Sequence, residues 1–189
     1  MVVALWLLAL QGVIGAFDTA YYHEWRARLP ALGPQAASEL NLPAARDALY
    51  AVIFASLPWF AWQGLWTIVL ATVLVVEIIL TMADFIVEIS VRKPLGDVYA
   101  GERLTHAAMG ILYGAMIANL ISTMWHWAVR PTDLLWAPAN VTPVPRWCLT
   151  GMGVGVLLSG VRDLYASLGL PHGSWPWTLA GSPHDGRPS

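Results

Sequence analysis

Of the chain's 189 residues, 57% are hydrophobic and only 12% are charged, and the mean hydropathy is +0.57. Soluble domains run near a quarter charged, so this chain has too little charge to cover a water-facing surface, and its apolar runs are long enough to span lipid. A net charge of −2 lacks the basic excess that nucleic-acid binding needs, and the lone Cys148 excludes an internal disulfide or a multi-cysteine metal site.

The composition predicts an all-α integral membrane protein, a single bundle over residues 1–168. The first apolar run covers residues 2–22. MVVALWLLALQGVIGAF has the hydrophobicity of a signal peptide without its positive n-region, so a retained first span is expected. A Pro-rich connector, LPALGPQAASELNLP, follows. Asn41 and Pro43 then suggest the cap and first turn of a second helix. No charge occurs from Ala48 to Val76, a length that divides near Trp62-Gln63-Gly64 into spans at 43–61 and 65–91. The third span stops at Arg92-Lys93-Pro94. A fourth is predicted over 102–127 and a fifth over 146–168, separated by AVRPTDLLWAPANVTPVP, which has no helical period. Residues 169–189 read as an irregular cytoplasmic tail, with Trp175 and Trp177 at the interface.

Five spans place the termini on opposite sides. Arg26, Arg28, Arg46, Arg92, Lys93, Arg103, Arg162 and Arg187 fall on one side, and only Arg130 and Arg146 on the other. The positive-inside rule then predicts an outside N-terminus and a cytoplasmic C-terminus, in a bacterial inner membrane.

Acids and histidines gather at the predicted cytoplasmic ends of the helices: Asp18 and His23, Asp47, Asp84 and Glu88, Glu102 and His106, and Asp163. Glu77, Thr81, Asp84 and Glu88 follow helical steps and form one stripe. A carboxylate near mid-bilayer costs roughly 2.5–3.5 kcal/mol on insertion scales, so the stripe is expected to face the bundle interior. A simpler account pairs Glu24, Glu88, Asp97 and Glu102 with the nearby Arg26, Arg28, Arg92 and Arg103. It makes Arg46, Asp47, Arg162 and Asp163 interhelical ion pairs. Glu77 and Asp84 have no basic residue within a turn and resist that account. The spacings Gly110-x3-Gly114-x3-Ala118 and Gly151-x3-Gly155-x3-Ser159 suggest close helix packing, and PWFAWQGLW and MWHW suggest interfacial belts.

Carboxylates with histidines and no cysteine suit iron, manganese or zinc. Glu102-x3-His106 only approximates the paired Glu-x-x-His of two-metal bundles, so the metal reading rests on convergence rather than on a motif. It makes His23, Asp84, Glu88, Glu102 and His106 candidate ligands, and Asp18, Tyr22, Asp47 and Glu77 candidate catalytic groups, with Tyr113 as a further substrate contact. The expected function is a membrane oxidoreductase acting on a lipid-soluble substrate from the cytoplasmic leaflet, with membrane lipids and a redox partner around it and no nucleic acid. The alternatives are a non-catalytic subunit of a larger membrane complex, one in which His23 and His106 carry haem or a chlorophyll-type pigment, and an ion or proton transporter with Glu77 as relay.

Overall fold

The computed structural model describes residues 1–93 and 97–176. The chain is mostly helical, built on five long helices. α1 (Val2–Asp18) continues as a π-helix (Thr19–Arg26), and short turns, α2 (Leu29–Leu32) and a 3-10 segment (Gly33–Ala36), lead into α3 (Ala37–Ser56). Strand β1 (Phe60–Gln63) precedes α4 (Leu65–Arg92) and α5 (Ala100–Ala128). Strand β2 (Asp133–Trp136) then leads to α6 (Pro143–Ser167).

Four helical stretches are long and apolar enough to cross a membrane: Val2–Arg26, Leu65–Ser90, Ala100–Ala128 and Pro143–Ser167. The fifth expected span, α3, is not among them, because its 20 residues include Glu39, Arg46 and Asp47. It also starts at Ala37, so Pro43 lies inside the helix rather than in its first turn. Asn41 caps nothing. It accepts a hydrogen bond from the Ser167 hydroxyl at 2.6 Å and ties α3 to the end of α6.

The Pro-rich connector is packed onto the bundle. Leu29, Ala36 and Leu40 are buried against Ala166 of α6. α3 runs along α6, and α1 runs along α5. The glycines responsible are not those of the expected stripes. A Cβ at Gly153 would lie 3.3 Å from the Ala51 carbonyl oxygen, whereas one at Gly110, Gly114, Gly151 or Gly155 would meet nothing within 4 Å. The repeated glycines stand on open helix faces, and spacing alone could not say which face packs.

Polarity is inverted relative to a water-soluble fold. Ile79, Ile86, Leu104 and Ile111 are 60–73% exposed, while Glu77 and Glu102 are buried with at most 2% exposure. Apolar surface outside and charge inside suit a protein surrounded by lipid.

β1 and β2 were not foreseen. They pair antiparallel, Phe60 opposite Trp136 and Gln63 opposite Asp133. Gly64 makes the turn into α4 with φ +57°, and a Cβ there would lie 2.6 Å from Thr132 Cα, so the position needs glycine. Trp59 stacks on Trp136 at 5.2 Å and donates to the Thr150 hydroxyl at 2.8 Å. Trp62 is core, at 5% exposure, while Trp125, Trp136 and Trp147 remain outside. Of the predicted tail, residues 169–176 form turns that leave Trp175 exposed. Trp177 and Arg187 lie outside the described residues.

Candidate metal centre and the cavity beside it

The π-helical end of α1 sets the first two groups of the site. In a π-helix the backbone bonds run i to i+5, as in the bond from the Ala27 N–H to the Tyr22 carbonyl at 2.8 Å. Residues five apart therefore share a side, which an α-helix would not allow. Asp18 and His23 stand in that relation, with Asp18 Oδ2 3.7 Å from His23 Nε2.

α5 supplies the next pair. Glu102 and His106 lie one turn apart in its first turns, and Glu102 also closes the helix start by accepting the Tyr99 backbone N–H at 3.4 Å. His106 Nε2 lies 3.1 Å from Asp18 Oδ2, and Nδ1 lies 3.6 Å from Glu88 Oε2 on α4. The ring is held flat against Phe85, centroids 5.1 Å apart. The Thr105 hydroxyl donates to Asp18 as well.

His23, Glu88, Glu102 and His106 each offer a ligand atom within 4.8 Å of the others. Ligands opposite one another on a metal stand about 4.4 Å apart, twice a bond of ~2.2 Å, and neighbouring ones closer, so an ion would draw these side chains inward. His23 Nε2 is buried without a hydrogen-bond partner, the state of a ligand atom aimed at an ion. Asp18 stands behind His106 as the carboxylate that orients a ligating imidazole. Arg92, itself buried, holds the other side. Its Nη2 donates to Glu102 at 2.5 Å and its Nε to Glu39 at 2.7 Å, and Glu88 Oε1 lies 3.9 Å away. The residues present fit a divalent cation of the iron, manganese or zinc type.

The remaining candidates fall elsewhere. Asp84 is not part of the cluster. Arg46 reaches from α3 to donate to it at 2.7 Å. The same guanidinium lies 3.7 Å from Glu77, which also accepts the Tyr50 hydroxyl at 2.7 Å and the Thr81 hydroxyl at 2.7 Å. Glu77 is therefore enclosed in a polar network rather than presented to a substrate. Tyr22 packs against the start of α5, stacked on Tyr99 at 6.1 Å, where only glycine at 101 leaves room for its hydroxyl. Tyr113 is also enclosed, donating to the Leu74 carbonyl at 3.3 Å.

Beside the cluster lies a cavity of about 600 Å³ whose lining includes Asp18, His23, His106, Asp84, Asp47 and Asp163. Its size falls within the range of small-molecule sites. Asp84 and His106, from the neighbouring helices α4 and α5, both line it. Of the rim acids, Glu24 pairs with Arg162. Asp97 pairs with Arg103 at 2.9 Å in an exposed position. The Val98 N–H and then Arg103 hold the Asp97 carboxyl below its usual range.

Tyr50 and Gln11, whose amide donates to the Tyr50 hydroxyl at 2.6 Å, were missed by the sequence reading, and Arg46 was expected to pair beside Asp47 rather than with Asp84. The signal was available for Arg46, since an arginine in a helix of membrane length needs a buried partner. Comparison with family models, curated proteins and solved structures finds no match for this chain.

Proposed function

We propose that the chain is a multi-pass integral membrane protein, with its N-terminus outside and its C-terminus cytoplasmic. It holds a divalent metal between His23, Glu88, Glu102 and His106 and uses it on a lipid-soluble substrate that enters the adjoining cavity. The observation that carries this reading is the four-residue cluster, drawn from three helices, with a buried imidazole nitrogen lacking any hydrogen bond. The orientation takes α3 as a fifth crossing, which puts eight basic residues on one side and two on the other, and a bacterial inner membrane is the proposed setting.

Iron is the first choice of metal. Two imidazoles with carboxylates and open positions are a donor set used for non-haem iron, and the reaction class is then oxidoreduction with a separate redox partner. The metal would supply the electron chemistry. The chain's own contribution is geometric and electrostatic. Asp18 fixes the His106 ring through Nε2, leaving Nδ1 toward Glu88. Arg92 donates to the Glu102 carboxylate and holds it in place. The apolar helix faces exclude water, which strengthens every interaction inside the site.

A pigment- or haem-carrying subunit is less well supported. His23 Nε2 lies 3.5 Å from Glu102 and His106 Nδ1 3.6 Å from Glu88, so carboxylates occupy the space a macrocycle needs. Metal analysis and an absorption spectrum of the detergent-purified protein test the proposal. Bound iron, manganese or zinc without a Soret or chlorin band is expected. A Soret or chlorin band, or protein that takes up no divalent metal on reconstitution, would overturn it.

A further inference from the structure

The far wall of the cavity carries two acids outside the metal cluster. Gly160 brings α6 against α3: a Cβ there would lie 2.8 Å from Asp47 Cβ and 3.1 Å from the Ala44 carbonyl oxygen. Asp163 follows Gly160 by three residues and so shares its side of the helix. Both carboxylates line the cavity.

Neither acid has the partner that the sequence places beside it. Arg46 is engaged by Asp84 and Glu77, and Arg162 by Glu24 and the Trp175 carbonyl. Asp163 is 7% exposed and, among the described residues, has no hydrogen bond or ion pair. Asp47 has the Ser159 hydroxyl as its polar neighbour. Arg46 and Arg162 line the same cavity and act on the two acids through space, with no hydrogen bond or ion pair to either. Among the described residues, the two buried carboxylates therefore face one space without a contacting cation, which is disfavoured.

A metal is not the natural remedy. Among the described residues, the group able to surround an ion with three or more donors is the His23 cluster, and Asp47 and Asp163 fall short of such a shell. A primary ammonium fits better, because it brings three donors and a positive charge on one small atom. Much of the remaining wall is apolar, with Phe54, Met109, Met152 and Val156. Leu158 lines the cavity yet is 64% exposed, so the cavity opens sideways along α6.

We propose that this cavity binds a single-chain amphiphilic amine, its ammonium donating to Asp47 and Asp163 and its hydrocarbon chain lying along Phe54, Met152 and Val156. The inference names a substrate class for the metal site and in that respect rests on the proposed enzyme. The binding itself needs no metal. A cavity of about 600 Å³ suits one such molecule. An alcohol or carboxylate of equal chain length would leave the acids unpaired or repelled.

The test compares binding of n-dodecylamine, dodecanol and dodecanoate to the full chain in nanodiscs after chelator treatment, with empty nanodiscs as blank. Dodecylamine should bind saturably and at least about tenfold more tightly than the other two. Asp163→Asn and Asp47→Asn should each weaken it about tenfold or more, as expected for loss of a charge-assisted contact. Equal binding of the three probes, or unchanged dodecylamine binding in both variants, would overturn the proposal. Phosphatidylethanolamine in the nanodisc competing as well as dodecylamine would overturn the single-chain assignment. The probe comparison on the parent protein stands even if a variant fails to fold. Because chelated protein is used, loss of this site and loss of the metal reading remain separate results.

Discussion

Glu77 and Glu88 stand on one stripe of α4, eleven residues apart, and differ in what surrounds them besides an arginine. Glu77, with Asp84, is closed by fixed donors: the Arg46 guanidinium, the Tyr50 hydroxyl and the Thr81 hydroxyl. Glu88 faces His106 at 3.6 Å, with Glu102 and His23 in the same cluster. A guanidinium stays charged at any ordinary pH and offers no lone pair, whereas an imidazole can give one to a metal. Arginine answers both ends of the stripe, Arg46 at Glu77 and Arg92 at Glu88. The difference is that hydroxyls complete the network at Glu77, whereas histidines able to ligate a metal complete it at Glu88.

The comparison is broken most forcefully at Arg46. Arg46→Met leaves Glu77 and Asp84 buried without their cation, and removal of one partner of a buried pair typically costs about 3–5 kcal/mol. Thermal or denaturant unfolding in detergent should show a loss of that order, while folded protein keeps its metal. Wild-type stability in Arg46→Met would dissolve the distinction between the two halves of the stripe.

At the histidine end the expected loss is of metal rather than of fold. Asp18→Asn keeps the volume beside His106 but removes the carboxylate that orients the ring, a change that elsewhere weakens metal affinity about 10–100-fold. Competition with a chelator of known affinity measures it. An unchanged affinity would remove Asp18 from the site.

Two glycine substitutions give the smaller effects. Gly160→Val drives side-chain atoms into Asp47 and Ala44 of α3, and overpacking of this kind costs about 1–3 kcal/mol. Gly110→Ala adds a methyl inside α5 where nothing lies within 4 Å and should stabilise by about 0.5–1 kcal/mol through the lost chain freedom of glycine. A loss of stability at Gly110 would mean that the open face of α5 is covered by another molecule.

Much of the helical layout was legible because α4, α5 and α6 carry apolar runs bounded by charge and proline, and the expected ends fall within three residues of those observed. The start of α3 was hidden because Pro43, an ordinary first-turn residue, sits deeper in the helix while Ser38 to Leu42 are already helical. The β1–β2 pair was hidden because Phe60–Gln63 continues an apolar run and its partner lies about seventy residues away. In the site, helical spacing placed Glu88, Glu102 and His106 together. It could not reveal that a π-helix turns His23 beside Asp18, or that Arg46 would cross from α3 to take Asp84. Partner choice between helices depends on how they rotate against one another, and a single sequence does not carry that rotation.

The central claim is tested most directly on one helix with one kind of change. Asp84→Asn and Glu88→Gln each remove a carboxylate charge from α4 while keeping its shape. Divalent metal bound per folded chain should fall at least about tenfold in Glu88→Gln and stay at the parent value in Asp84→Asn, which instead loses stability as Arg46 is left with Glu77 alone. Equal metal loss in both variants, or unchanged metal in Glu88→Gln, would contradict the account.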